Sequence, residues 1–141
     1  MTVLEMSNER RRSRSKQAIQ AIMLQLEHIY SREKLRNFTL GDSRGLVIAS
    51  AGEQFESDAL AAYAPLLARC VDRQCRQSIL ANVDNFVPGV DERSLHVRTF
   101  EIDGEELYLS LVGQPGVYQH VGLYRAITGV RRIFRQSALA A

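Results

Sequence analysis

Two segments rich in β-forming residues, 95–102 and 105–112, are separated only by Asp103 and Gly104. An Asp-Gly pair favours the positive backbone angles of a two-residue turn, and strands joined by so short a turn run antiparallel. Leucines recur at every second position of the later segment, which is the period of a strand. The chain therefore contains a predicted antiparallel hairpin near its C-terminal end.

The earlier strand of this hairpin has an irregular apolar pattern. Its apolar phase shifts between Val97 and Phe100, which predicts either a bulge or a strand that is covered on both faces. His96 and Arg98 alternate with the same phase as Phe100, so these three side chains share one strand face. A partner-binding face and a half-exposed sheet position explain that face equally well.

A second hairpin is predicted nearer the N-terminus. Residues 38–40 and 46–49 are mainly apolar and are separated by Asp42-Ser43-Arg44-Gly45, a run with the composition of a tight turn. The glycines of this region do not indicate a phosphate-binding loop. Such a loop leads from a strand into a helix and carries a lysine followed by serine or threonine.

The first of three predicted helices covers residues 8–35. Ser7 offers an N-terminal cap, and Asn37 can end the helix. Its apolar residues recur at spacings of three and four, and they comprise Ile19, Ile22, Met23, Leu26, Ile29 and Tyr30. One face of the helix is therefore expected to pack against the rest of the chain.

Two further helices are predicted after the first hairpin. Ser57 or Asp58 can cap a helix that continues to about residue 82. Pro65 removes one backbone hydrogen bond, so we expect either a kink there or one helix that ends and another that begins at this residue. The last helix is predicted over residues 117–136.

The order of elements is helix, strand, strand, helix, strand, strand, helix. Three amphipathic helices need a sheet against which to bury their apolar faces, so the predicted fold class is α+β, a small antiparallel sheet sandwiched with helices. A length of 141 residues suits one domain. We expect residues 1–37 to form a basic amphipathic N-terminal helix, residues 38–137 the domain, and residues 138–141 a tail.

The sequence contains no pattern of metal or cofactor ligands. His28, His96 and His120 lie in different segments, and no group of side chains has metal-site spacing. On one continuous helix, Cys70 and Cys75 would point roughly 140° apart, so a disulfide between them is not expected. We predict that the chain binds neither a metal nor a cofactor.

Catalytic patterns are also missing from the sequence. Ser50 ends a predicted strand but has no Gly-x-Ser-x-Gly elbow and no histidine and acid to activate it. The neighbouring carboxylates Asp91 and Glu92, like Glu105 and Glu106, would point to opposite faces of an extended chain, so neither pair suits acid–base catalysis. We therefore predict that the protein is not an enzyme.

Positive charge is concentrated at both ends of the chain. Residues 1–37 carry eight Arg or Lys against four Asp or Glu, residues 38–116 carry six against twelve, and residues 117–141 carry four against none. The densest cluster, a candidate anion-contacting site, comprises Arg10, Arg11, Arg12, Arg14 and Lys16. Such a run can bind nucleic-acid phosphates or an anionic membrane, but a solvated helix start is the favoured interpretation.

Residues 38–50 read FTLGDSRGLVIAS, and a loop of small residues and an Ala/Leu-rich helix follow. This arrangement resembles the opening of roadblock/LC7 domains, whose first hairpin typically reads Asp-x-x-Gly-Leu before an apolar strand that ends near Ala-Ser. The resemblance covers about residues 36–136 and includes the bacterial type that regulates small Ras-like polarity GTPases.

The resemblance implies a non-catalytic module of profilin-like shape with a five-stranded antiparallel sheet between helices. Members are usually homodimers or heterodimers built through the central helix and a neighbouring strand, and they serve as platforms or regulators for small GTPases or attach to motor complexes. The fifth strand would lie within residues 86–90 or in a division of residues 95–112. The implied dimer or partner surface comprises Leu60, Tyr63, Leu67, Val71, His96, Arg98 and Phe100.

Three hypotheses for the function follow. The first is a dimeric interaction module that binds or regulates a small Ras-like GTPase or acts as a scaffold in a signalling complex. The second is a sensory module of PAS, GAF or profilin-like shape, which needs a cavity between sheet and helix, whereas Phe100 and Tyr108 favour a filled core. The third is nucleic-acid or membrane binding through the basic helix. No segment is apolar enough to span a bilayer or to act as a leader, so we expect a cytoplasmic protein.

Overall fold

The computed structural model describes residues 3–102, 104–114, 125, 127–133 and 135, with the backbone alone for residues 3–15. Its helices are α1 (Val3–Arg32), α2 (Gln54–Arg69) and α3 (Arg73–Asp84), and its strands are β1 (Asn37–Asp42), β2 (Val47–Ala51), β3 (Leu95–Ile102) and β4 (Glu105–Val112). Residues 127–133, with 125 and 135, are also helical and form a C-terminal helical segment. The rest of the predicted helix 117–136, and Asp103 of the predicted turn, lie outside the described residues.

The four strands form one antiparallel sheet in the order β2-β1-β4-β3. Both predicted hairpins are present, and β1 joins them by pairing with β4, so that Leu40 lies opposite Leu109. The predicted fold class is confirmed. The described residues contain no fifth strand, because residues 86–90 form a turn and residues 95–112 contain only β3 and β4.

The sheet lies between two layers of helices. One face is covered by α1 and the C-terminal helical segment, with a core of Ile22, Leu26, Ile29, Leu35, Phe38, Leu40, Ala49, Phe100, Leu107, Leu109, Leu111 and Val130. The other face is covered by α2, α3 and the turn that follows them, with a core of Leu60, Leu80, Val83, Val87, Val90, Leu95 and Val112. Because both faces are covered, β4 is buried without interruption from Leu107 to Val112.

The strand predictions need two corrections. β3 pairs continuously with β4, from Leu95 opposite Val112 to Ile102 opposite Glu105, so the expected bulge in β3 is absent. The alternative, a strand covered on both faces, agrees with the structure, because Leu95 and Val97 pack in the core under α2 and α3 while Phe100 packs in the core under α1. The irregular register lies in the other hairpin, at Gly41, where an added Cβ would come within 3.2 Å of the Ala61 side chain on α2.

The first helix also differs from the prediction at both ends. α1 begins before Ser7, and Asn37 is the first residue of β1 rather than the end of the helix. Ile19 and Met23, expected on the apolar stripe, are exposed. The buried line runs through Ala18, Ile22, Leu26 and Ile29, whose spacings of three and four follow one side of the helix.

The predicted second helix is two helices, and neither boundary is at Pro65. The Glu53 carboxylate accepts hydrogen bonds from the amides of Phe55 and Glu56, both at 2.9 Å, and so starts α2 before the expected caps Ser57 and Asp58. Pro65 is buried inside α2. α2 continues past Pro65 to Arg69, and Cys70 is the first residue with an extended backbone.

The break between α2 and α3 covers residues 70–72, which we call the elbow. Cys70 has an extended backbone, with φ −65° and ψ 125°, and its amide donates to the Leu67 carbonyl oxygen at 3.3 Å. Asp72 then caps α3 by accepting from the Cys75 amide at 2.7 Å. The cap at Asp72, and not the proline, determines where the second helix divides.

Candidate functional site

Strand β3 lies at the edge of the described sheet and has a strand neighbour on one side only. Its side chains alternate between the two faces: Leu95 and Val97 face α2 and α3, whereas Phe100 faces α1. The Arg98 guanidinium donates to the Val97 carbonyl oxygen at 3.1 Å and occupies one acceptor of the edge. An edge strand presents backbone hydrogen-bonding groups that another chain can pair with.

A groove of about 290 Å³ separates the elbow and its two helices from β3. Its walls comprise Leu67, Ala68, Cys70, Arg76, Leu80, Glu92, Leu95, His96, Val97 and Arg98. Leu80 and Leu95 are buried in the core below, while Arg76, Glu92 and Arg98 are exposed. The groove therefore has an apolar base with charged walls.

The turn before β3 is held by a carboxylate. Asp91 accepts hydrogen bonds from the amides of Arg93 and Ser94, both at 2.9 Å, and its own amide donates to the Ser94 hydroxyl at 2.9 Å. The bond from the Ser94 amide is the largest reason why the pKa of Asp91 is lowered from its ordinary value. This turn fixes Glu92 at the wall of the groove.

Exposed apolar side chains surround the elbow and the outer side of α2. Val71 is 96% exposed and Leu66 is 48% exposed. The Phe86 ring lies 6.0 Å from both the Phe55 ring and the Tyr63 ring, and Phe55 is 60% exposed while Phe86 is 38% exposed. Aromatic and aliphatic side chains exposed beside a groove are typical of a surface that another molecule covers.

The structure separates the seven residues of the implied partner surface into three groups. Leu60 and Phe100 are buried, at 2% and 4% exposure, in the cores on opposite faces of the sheet. Leu67, His96 and Arg98 line the groove. Tyr63 lies beside Phe86, and Val71 projects from the elbow.

The face shared by His96, Arg98 and Phe100 is the one that α1 covers, opposite to α2. His96 and Arg98 nevertheless line the same groove as Leu67, because β3 is the edge strand of the described sheet. We call Tyr63, Leu67, Val71, His96 and Arg98 the α2–β3 surface.

Sequence reasoning missed several residues of this region. Arg76 and Glu92 line the groove, and Phe55 of α2 forms an aromatic pair with Phe86 of the turn after α3. A helix that begins at the predicted caps Ser57 or Asp58 excludes Phe55, whereas the cap at Glu53 places Phe55 inside α2, two turns before Tyr63. The turn residues 86–92 carried no periodic signal.

The basic run lies on the first half of α1. Arg10, Arg11, Arg12 and Arg14 are helical, and their side chains lie outside the described residues. Lys16 is exposed. Among the residues of α1 whose side chains the structure describes, Lys16 and Gln17 are exposed and Ala18 is the first that is buried.

Within the part of the chain that the structure describes, no three His, Cys, Asp or Glu side chains converge as metal ligands would. None of the described helices combines the length and apolar character that crossing a membrane requires.

The fold and this surface define an α+β domain with an exposed groove between an edge strand and a helix elbow. Its sequence matches no family model and no curated protein. Among solved structures, it is similar to Myxococcus xanthus MglB, with 12% sequence identity and a TM-score of 0.49. That similarity covers 84% of this chain and 91% of the other.

Proposed function

We propose that this protein is a non-catalytic interaction module of the cytoplasm that forms a homodimer and binds or regulates a small Ras-like GTPase, directly or as a scaffold of a signalling complex. The observation that carries the proposal is the α2–β3 surface. It combines an edge strand, a groove with charged walls and an almost fully exposed Val71.

A partner is favoured on physical grounds because this surface exposes apolar side chains and the strand backbone at the edge of the described sheet to solvent. Val71 is an almost fully exposed apolar side chain, and β3 presents the backbone groups of an edge strand. Both features are favoured when another protein covers them. A second copy of the chain can use the exposed elbow around Val71 on both subunits, as in two-fold homodimers, which leaves the charged walls of the groove for the GTPase.

The identity of the partner class is supported by the resemblance of residues 36–136 to roadblock/LC7 domains, whose members act on small Ras-like GTPases. The groove suits a protein partner chemically. Arg76 and Arg98 offer guanidinium groups for acidic side chains, while Glu92 offers a carboxylate for basic ones.

Nucleotide-dependent capture tests the proposal. The full chain is immobilised and incubated with the small Ras-like GTPases of its own organism, loaded with GDP or with a non-hydrolysable GTP analogue. We expect retention of one GTPase in one nucleotide state, weakened by Arg98→Glu in the groove. Arg32→Glu is the matched control, because Arg32 is an exposed arginine at the end of α1.

The rate of GTP hydrolysis then separates the two forms of the proposal. A changed rate in the presence of the chain indicates a regulator, and binding with an unchanged rate indicates a scaffold. Failure to retain any of these GTPases in either nucleotide state would contradict the proposed partner.

A further inference from the structure

The two cysteines of the chain meet at the elbow. The Sγ atoms of Cys70 and Cys75 lie 2.6 Å apart, and both side chains are free thiols. On a continuous helix they would point away from each other, as the sequence predicted. At the elbow the two side chains point towards each other instead, because α2 ends before Cys70 and the chain turns through Val71 and Asp72 before α3 begins.

Both cysteines are held in place through their backbones. The Cys70 amide donates to the Leu67 carbonyl oxygen at 3.3 Å, and the Cys75 amide donates to the Asp72 carboxylate at 2.7 Å. The cap at Asp72 therefore positions the first turn of α3, and with it Cys75, against the end of α2. Little movement is needed to bring two sulfurs this close to the bond length of a disulfide, about 2.05 Å.

The two thiols differ in accessibility. Cys75 is exposed, whereas Cys70 is half-buried at the wall of the groove. The hydrogen bond with Cys75, followed by burial, raises the pKa of Cys70 to about 11. Cys75 is therefore the thiol that meets an oxidant first, and Cys70 is the thiol that resolves the resulting intermediate.

We propose that Cys70 and Cys75 are a redox modification site, at which a low-molecular-weight disulfide such as oxidised glutathione closes a reversible intramolecular disulfide across the elbow. The Cys75 thiolate attacks one sulfur of oxidised glutathione, forms a mixed disulfide and releases one glutathione, which takes up a proton. Cys70 then loses its proton and attacks the Cys75 sulfur, and the second glutathione leaves. Two protein thiols are oxidised, and one glutathione disulfide is reduced to two thiols.

A disulfide at this site would have a direct consequence for the groove. Cys70 lies at the wall of the groove beside Leu67 and His96, and the bridge would join this wall covalently to the first turn of α3. Transient disulfides of this kind are the form that redox sensing takes in a reducing compartment. The bridge would fix the angle between α2 and α3.

Equilibration of the full chain in glutathione redox buffers tests the proposal. Samples are quenched with acid, alkylated under denaturing conditions and weighed by intact mass spectrometry. The expected oxidised species has lost two hydrogen atoms and both alkylation sites. The glutathione ratio that gives half oxidation should be the same at two protein concentrations, because the bond forms within one chain.

Cys70→Ser and Cys75→Ser are the controls, and both positions lie outside the cores. Each variant should stop at a mixed disulfide with glutathione, and Cys75→Ser should form it more slowly. Two independent mixed disulfides on the wild-type chain, or bonds between chains whose yield rises with protein concentration, would overturn the proposal.

Discussion

Arg36 and Glu56 form a two-pronged ion pair, in which Nε and Nη2 of the guanidinium each lie 3.0 Å from a different carboxylate oxygen. The Nη1 atom of Arg36 donates to the Pro88 carbonyl oxygen at 2.6 Å, and its backbone amide donates to Val112 at 2.9 Å. One side chain thus joins the segment before β1 to α2 and to the turn that precedes β3. The groove depends on the relative positions of the same elements.

Replacement of Arg36 by lysine is expected to lower the free energy of unfolding by about 1 kcal/mol, because an ammonium group cannot reproduce the planar two-pronged contact. Urea unfolding followed by circular dichroism measures the change. Arg44→Lys is the matched control, since the Arg44 side chain is 77% exposed in its pair with Asp42. Equal losses in the two variants would contradict the role given to Arg36.

The hairpins were predictable because their signals are local. Asp42 accepts from the amides of Arg44 and Leu46 at 2.9 and 3.1 Å, and Gly45 has a φ of 81°, as the turn composition indicated. The division of the second helix was not predictable in this way. The proline rule pointed to Pro65, but the outcome depended on a cap at Asp72, which a periodic apolar pattern does not reveal.

The candidate site was less predictable than the fold for the same reason. The family resemblance placed Leu60 and Phe100 on the implied partner surface, although each packs in a core on its own side of the sheet. Periodicity identifies residues that share a face of one element but does not say which element covers that face. The cysteine pair was missed because it exists only where the helix breaks.

A buried polar network gives a second prediction. Asn37, Thr39 and Ser57 are all fully buried. The Asn37 amide donates to the Ser57 hydroxyl at 3.0 Å and more weakly to the Glu53 carbonyl oxygen at 3.4 Å, while its own oxygen accepts from Thr39 at 2.6 Å. The network connects β1 to the first turn of α2.

Ser57→Ala should lower the free energy of unfolding by about 1–3 kcal/mol, because it leaves the buried Asn37 amide without its better acceptor. Denaturant unfolding provides the measurement. Ser78→Ala is the control: it makes the same replacement on an exposed face of α3, where alanine's helix propensity should leave stability unchanged or slightly higher. A wild-type stability in Ser57→Ala would show that the network contributes nothing.

Asp42 gives a prediction about pH. Burial alone would raise its pKa, but the hydrogen bonds from the Leu46 amide and from Arg44 outweigh burial, so the pKa is lowered from the ordinary value of 3.8. A carboxylate with a lowered pKa stabilises the folded chain above the unfolded-state value, and this contribution is lost as the pH falls through the folded-state value.

The stability difference between the wild type and Asp42→Asn should therefore stay constant from neutral pH down to about one unit above 3.8 and disappear below the folded-state pKa. Urea unfolding at a series of pH values measures it. A difference that grows as the pH falls below 3.8 would have the wrong sign for this account.

The basic run on α1 gives a prediction about salt. The proposed subunit interface is the α2–β3 surface, which none of these residues belongs to, so replacing Arg10, Arg11, Arg12 and Arg14 by serine should leave the oligomeric state unchanged at low and high salt. Light scattering provides the measurement. A variant that is a single chain at low salt, where the wild type is a dimer, would instead assign the run to the subunit interface, since charge contacts are strongest when they are least screened.

The most direct test of the central claim is the solution mass of three versions of the full chain: the wild type, Val71→Asp on the α2–β3 surface, and Leu24→Asp on α1. Leu24 is 62% exposed and therefore tests an apolar-to-acidic change elsewhere. The account predicts twice 15.9 kDa for the wild type and for Leu24→Asp at low and high salt, and 15.9 kDa for Val71→Asp. A single-chain mass for the wild type, or a dimer that survives Val71→Asp, would contradict it.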